Sequence, residues 1–271
     1  MTSRVLFRSL VIGLWCVCAA WSSRGSISAA EPIEDVLSAT FRLTDGKTSA
    51  TSFLVRTEGK PASLVLVTAA HFLEQVSGDE CRLMLRARQP DDTYLRREHG
   101  LRVKDEGKPR WKRHPDQDIA ALSIELPADV ECTPFRLEQV GTEQDLKSRR
   151  IRVAQEAWIP GYPSQLEANA AGWPVLRHGT IASHPLVPLA STKTLIVNSS
   201  SFGGDSGAPV VVIPNAEPNA PPVVAGILVG MHRQTDRSST SVEERTTHTP
   251  LDLSIVVQAP FIRETIELLL K

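Results

Sequence analysis

At 271 residues, 41% of them hydrophobic, the chain is long enough for one large all-β domain or two small domains with a full core. Its charges balance, 30 Lys and Arg against 31 Asp and Glu, for a net charge of −1. That balance excludes the electrostatic footprint of a nucleic-acid or membrane-surface binder.

The first 30 residues read as an export signal. Arg4 and Arg8 precede an apolar run from Leu10 to Ala20, too short to span a bilayer comfortably, and small residues offer cleavage after Ala20 or Ala30. The expected passenger is secreted or periplasmic, with no membrane attachment after signal removal. Of the four cysteines, Cys16 and Cys18 fall in the signal. Cys81 and Cys132 remain, and two thiols in an oxidising compartment lead us to expect one disulfide. Neither Cys-x-x-Cys outside the signal nor His-Glu-x-x-His is present, so no metal or cofactor is expected.

Beyond the signal the pattern is one of strands and turns. Runs 51–56 and 63–68 flank Gly59-Lys60-Pro61, a hairpin signal, and 81–87 and 118–125 alternate. Residues 138–150 are polar and read as a connector. Strand patterns resume at 151–153, 179–181, 194–197, 208–213 and 223–229, with a proline-rich loop from Pro214 to Pro222. Helical periodicity is seen only from Pro260 to Leu270. Many short strands and one terminal helix predict barrels or sandwiches. The connector divides the mature chain into units of 31–140 and 141–271.

Three segments carry chemistry. Val67-Thr-Ala-Ala-His71 ends an apolar strand in an imidazole, a group able to accept a proton near neutral pH. His114-Pro-Asp-Gln-Asp118 opens the apolar run Ile119–Leu122 with an acid suited to orienting an imidazole; Asp116 competes, but Asp118 directly precedes the run. Ser201-Phe-Gly-Gly-Asp-Ser206-Gly-Ala-Pro has glycines that let the backbone turn sharply, so that the amides of Gly204 and Ser206 can face one oxyanion. Ser206 is then the candidate nucleophile.

Together, Thr68-Ala-Ala-His71, Asp118-Ile-Ala-Ala-Leu and Gly204-Asp-Ser-Gly-Ala-Pro209 resemble the trypsin-like, chymotrypsin-fold serine peptidases, which share the chain order His, Asp, Ser. Trp158-Ile-Pro-Gly-Tyr-Pro and Arg177-His-Gly-Thr-Ile resemble second-barrel segments of the bacterial branch, which includes glutamyl endopeptidases and high-temperature-requirement proteases. The resemblance implies two six-stranded antiparallel β-barrels with the active site between them and a short C-terminal helix. It implies Ser206 as nucleophile, His71 as base and then acid, Asp118 as its orienter, and an oxyanion hole from the Gly204 and Ser206 amides. It places the base of the substrate pocket at Ser200, whose lack of charge implies small or apolar side chains before the scissile bond, and the wall at Leu228, Val229, Gly230 and Met231. A protein or peptide substrate is implied, and no nucleic-acid partner. No Arg-Ile-Val-Gly-Gly activation segment is present, so Asp205 needs a partner other than a new N-terminus.

Two other classes compete. A catalytically silent barrel protein used for binding would ordinarily lose a triad member, and here all three positions are filled. An α/β-hydrolase esterase would need Gly-x-Ser-x-Gly, and Ala208 breaks that pattern.

Overall fold

A computed structural model describes residues 31–58, 63–130, 132–214, 220–239 and 244–271. The expected signal and the Gly59-Lys60-Pro61 turn lie outside the described residues. Helix α1 (Glu31–Ser38) leads into β1 (Thr40–Thr44), β2 (Ser49–Thr57) and β3 (Ser63–Thr68). Then come α2 (Ala70–Gln75), β4 (Glu80–Arg88), β5 (Tyr94–Arg102), the short β6 (Lys104–Asp105), β7 (Lys108–Pro109) and β8 (Lys112–Arg113), β9 (Ala120–Ile124) and β10 (Phe135–Arg136). The second half comprises α3 (Glu143–Lys147), β11 (Glu156–Gly161), β12 (Val175–Ile181), β13 (Thr194–Asn198), β14 (Pro209–Val212), β15 (Val223–Ser239), β16 (Glu244–Gln258) and α4 (Ala259–Leu270).

Strands β11 to β16 form a closed six-stranded barrel in the order β11-β12-β13-β16-β15-β14. The first half forms an eight-stranded sheet in the order β5-β4-β1-β2-β3-β9-β8, with β10 added beside β2. It does not close. A cleft of about 630 Å³ lies between His99–Arg102 of β5 and Ser123–Glu125. The reason is local: β8 covers β9 only at Ala120 and Ala121, and β5 brings the charged run Arg96-Arg97-Glu98, which needs water. The expected second closed barrel is therefore an open, curled sheet.

Alternation of side chains along each strand explains why the strands read as apolar on both faces. On β2, Leu54 enters the core of the sheet with Leu43 and Leu66, while Phe53 and Val55 enter a second core. On β14, Val210 and Val212 fill the barrel, while Val211 enters that same second core. This shared core joins both halves and is covered by α4 through Phe261, Ile262 and Ile266. A polar bolt also joins them. Buried Arg86 of β4 lies 4.3 Å over the Phe41 ring and 4.5 Å over the Trp173 ring. It donates to the carbonyls of Thr40 and Ser38 at 2.9 and 2.8 Å and to the Tyr162 hydroxyl at 3.3 Å.

Residues 151–153 are not a strand, and α1, α2 and α3 are helices beyond the expected terminal one. The expected disulfide is absent, and Cys81 and Cys132 are both free. Cys81 opens β4, whereas Cys132 follows Val130, which bridges Ala87 at the other end of that strand. At about 3.3 Å per residue the two lie on the order of 13–20 Å apart, beyond the roughly 4.4–6.8 Å between Cα atoms that a bridge needs.

Candidate active site

Strands β3 and β9 are antiparallel neighbours, with Thr68 opposite Ala120. The chain leaves β3 just before His71 and enters β9 just after Asp118, so this register brings the two side chains together. His71 sits in the first turn of α2 rather than on a strand end. Its amide donates to Asp118 Oδ1 at 2.9 Å, and its ring Nδ1 lies 2.5 Å from Oδ2. The carboxylate thus fixes both backbone and ring, and with Nδ1–H turned to it the Nε2 lone pair is left free. The Asp118 hydrogen bond raises the His71 pKa above its ordinary 6.5, against an opposing effect of burial. Burial pushes Asp118 up, but the hydrogen bonds from the His71 ring and amide outweigh it, and its pKa falls below 3.8. Asp116, the competing acid, is exposed and lies 3.9 Å from Lys193.

Ser206 is on the loop entering β14. Gly204 and Gly207 have φ of +98° and +94°, in the left-handed region that favours glycine. Neighbours demand glycine as well: a Cβ at Gly204 would strike the Tyr162 carbonyl, and one at Gly207 would strike the Thr51 carbonyl and approach Thr68 Oγ1 to 2.6 Å. The Gly207 contact also comes within 3.0 Å of the Ala69 amide, two residues before His71. Thr51 of β2 holds this loop. Its amide donates to the Ser206 carbonyl at 2.9 Å, and its hydroxyl donates to the Gly204 carbonyl at 2.8 Å and accepts from the Tyr162 amide at 3.3 Å. Thr68 Oγ1 donates to the Thr51 carbonyl at 2.7 Å. The Gly204 and Ser206 amides make no hydrogen bond among the described residues, leaving both donors available to an oxyanion. Ser206 Oγ and His71 Nε2 are not hydrogen-bonded to each other, a bond that often tightens only with substrate.

Asp205 finds its partner in Arg177 of β12, with Nη2 at 2.7 Å from Oδ1, and Oδ2 accepts from the Phe202 amide at 2.8 Å. Its side chain is 0% exposed; burial raises its pKa, and Arg177 opposes that rise. The same guanidinium donates to the Ser200 carbonyl at 2.6 Å. The expected charge-free pocket floor is not what is found. Ser200 Oγ donates to Asp252 Oδ1 at 2.7 Å, and a cleft of about 380 Å³ opens there, lined also by Arg177, His178 and Asn198. Along β15, Leu228 is buried while Val229, Gly230 and Met231 are half-buried.

Sequence reasoning missed Thr51, Arg177 and Asp252 as parts of this site. Thr51 sits in a run of ordinary strand formers, and nothing in its neighbours marks it. Arg177 was within a recognised segment, and the unmatched charge of Asp205 called for a cation. Asp252 is distant in sequence from Ser200 and reaches it only through the β13–β16 pairing of Asn198 with Leu253.

No protein-family model matches the chain. No curated protein matches it either. Solved structures similar to it include the Rv3671c protease in an inactive form, 14% identical, with 88% of this chain and 92% of that one covered and a TM-score of 0.46. A second is a serine-to-alanine variant of Rv3671c from M. tuberculosis H37Rv, also inactive, 13% identical, with 88% and 89% covered and a TM-score of 0.48. The likeness is one of general outline, and the chemistry of the site rests on its own geometry.

Proposed function

We propose that this protein is an exported, trypsin-like serine endopeptidase with His71, Asp118 and Ser206 as its triad. The observation that carries this reading is the two-point grip of Asp118 on His71, beside a loop that holds Ser206 against the same strand ends. In this mechanism Ser206 Oγ attacks the scissile carbonyl as His71 Nε2 takes its proton, and Asp118 stabilises the imidazolium. The amides of Gly204 and Ser206 receive the oxyanion. The intermediate collapses to an acyl-enzyme as His71 protonates the leaving amine. Water, deprotonated by His71, then releases the acid and restores Ser206. On this reading residues 1–30 are the signal, 31–140 and 141–271 are the two units that meet at the site, and the substrate is a protein or peptide met outside the cytoplasm. Among the described residues no helix is long and apolar enough to cross a membrane.

A fluorophosphonate probe and a peptide-library digest test this. The protein should be labelled once, at Ser206, and Ser206→Ala should lose labelling and about 10⁴- to 10⁶-fold in kcat. Cleavage by Ser206→Ala at near wild-type rate would overturn the assignment.

A further inference from the structure

Strand β15 runs well past the barrel. Strand β14 covers its outer edge only from Val223 to Ile227, after which Leu228 accepts from the Gly207 amide at 2.7 Å and donates to the Ala208 carbonyl at 2.9 Å. From Val229 onward that edge has no strand partner among the described residues. Beyond a register shift between Met231 and Arg233, β15 pairs only with β16, from Arg233 opposite Pro250 to Ser239 opposite Glu244. Every residue of 232–238 and 244–252 is exposed, so this ribbon projects with no layer on either face among the described residues. Its threonines favour extended backbone without supplying an apolar face.

Cations lie on both faces of the ribbon, Arg245 standing opposite Ser238 on one and two arginines sharing the other. Arg233, Thr235 and Arg237 share a face with His248, whose Nδ1 is 2.9 Å from the Thr235 hydroxyl. Asp236 points to the opposite face, where the Gln234 amide donates to it at 3.0 Å. The one carboxylate on the Arg233 face among the described residues is Glu244, at its far end. Some surface arginines are neutralised, as Arg97 is by Asp129 at 2.6 Å and Arg113 by Glu74 at 2.8 Å. Arg233 and Arg237 have no ion pair among the described residues.

We propose that the free edge of β15 beyond the pocket wall docks an extended, acidic segment of the substrate against Arg233 and Arg237; this rests on the hydrolytic reading above. A peptide added there continues the position of β14 and so runs antiparallel to β15, arriving at Ser206 with its C-terminal end. The docked segment therefore precedes the scissile bond. Arg233 and Arg237 lie on the order of 13 Å apart, which matches carboxylates four residues apart on an extended strand.

The test uses Ser206→Ala protein and two fluorescein-labelled peptides identical except that Asp and Glu upstream of the scissile position in one are Asn and Gln in the other. Fluorescence anisotropy at low salt should show the acidic peptide binding roughly three- to tenfold tighter, the range two exposed charge pairs supply. The difference should vanish in an Arg233→Gln, Arg237→Gln background and at about 0.5 M salt, where screening is strong. Equal binding of the two peptides, or a preference that survives the double substitution, overturns the proposal. Fluorophosphonate labelling of protein with Ser206 intact reads the hydrolytic assignment separately: failed labelling with a retained binding difference removes the hydrolysis and keeps the docking surface.

Discussion

Asp205 stands directly before Ser206, fully shut away from solvent, and among the described residues Arg177 is the cation that offsets its charge. Replacing one member of a buried pair strands the other. Arg177→Met should therefore destabilise by about 3–5 kcal/mol in urea unfolding, and Asp205→Asn in the same chain should recover part of the loss. Because burial already raises Asp205, the loss should shrink as pH falls and the stranded carboxyl takes up a proton. An Arg177→Met protein of wild-type stability would show the pair to be dispensable. His71 and Asp118 set a different pH dependence. His71 is raised, so the pair's contribution to stability is complete below the ordinary 6.5 and is lost as pH rises through the folded value. Asp118 is lowered, so its share is present above 3.8 and is lost as pH falls through its depressed value. Catalysis needs neutral His71 and thus gains where the ion pair fades. The acid limb of kcat/KM should have its midpoint above pH 6.5, and Asp118→Asn should move it down while lowering kcat about 10⁴-fold. A midpoint near pH 4 would exclude His71 as the base.

Among the elements, β2 has a role disproportionate to its sequence. Thr51 offers amide, carbonyl and hydroxyl to partners from both halves, so β2 serves as the template on which the Ser206 loop is shaped. Thr51→Val keeps the volume and removes both hydroxyl bonds, leaving the buried Gly204 carbonyl without its donor. The expected cost is about 1–3 kcal/mol, with lower kcat and little change in KM if the loop relaxes around Ser206. Unchanged kcat would mean the loop holds its shape without β2. Such a role was illegible in sequence, because a threonine in a strand is ordinary. The strands β2, β3, β13 and β14 were legible from their β-branched runs, β4 from its alternation, and α4 from its period. His71, Asp118 and Ser206 stood out as candidates because glycine and charge sit where strand chemistry does not ask for them. What failed was local: His71 proved to lie on a six-residue helix too short to show a period, and β5 and the outer β16 carry too many polar residues to read as strands.

At the scale of the whole molecule, pairing of distant segments decided what the sequence left open. The disulfide was argued from compartment and count, yet Cys81 lies near one end of β4 and Cys132 beside the other, which rules it out. Burial pushes the Cys81 thiol up to about 12 and raises Cys132 too, so neither offers the thiolate that exchange requires. Denatured without reduction, a chain spanning residues 31–271 should take up two alkyl groups by intact mass; none would restore the bridge. Closure of the first sheet was likewise undecidable from strand count, since it depends on whether β5 reaches β9. Helix α4 follows every strand in chain order, yet it covers the core that clamps the Asp118 side against the Ser206 side. During synthesis His71 and Asp118 emerge early, Ser206 later, and this cover later still. A chain whose α4 has not yet docked would thus carry His71, Asp118 and Ser206 without holding them in register, and under the proposed mechanism hydrolytic capacity would arise only as this helix folds back on the shared core.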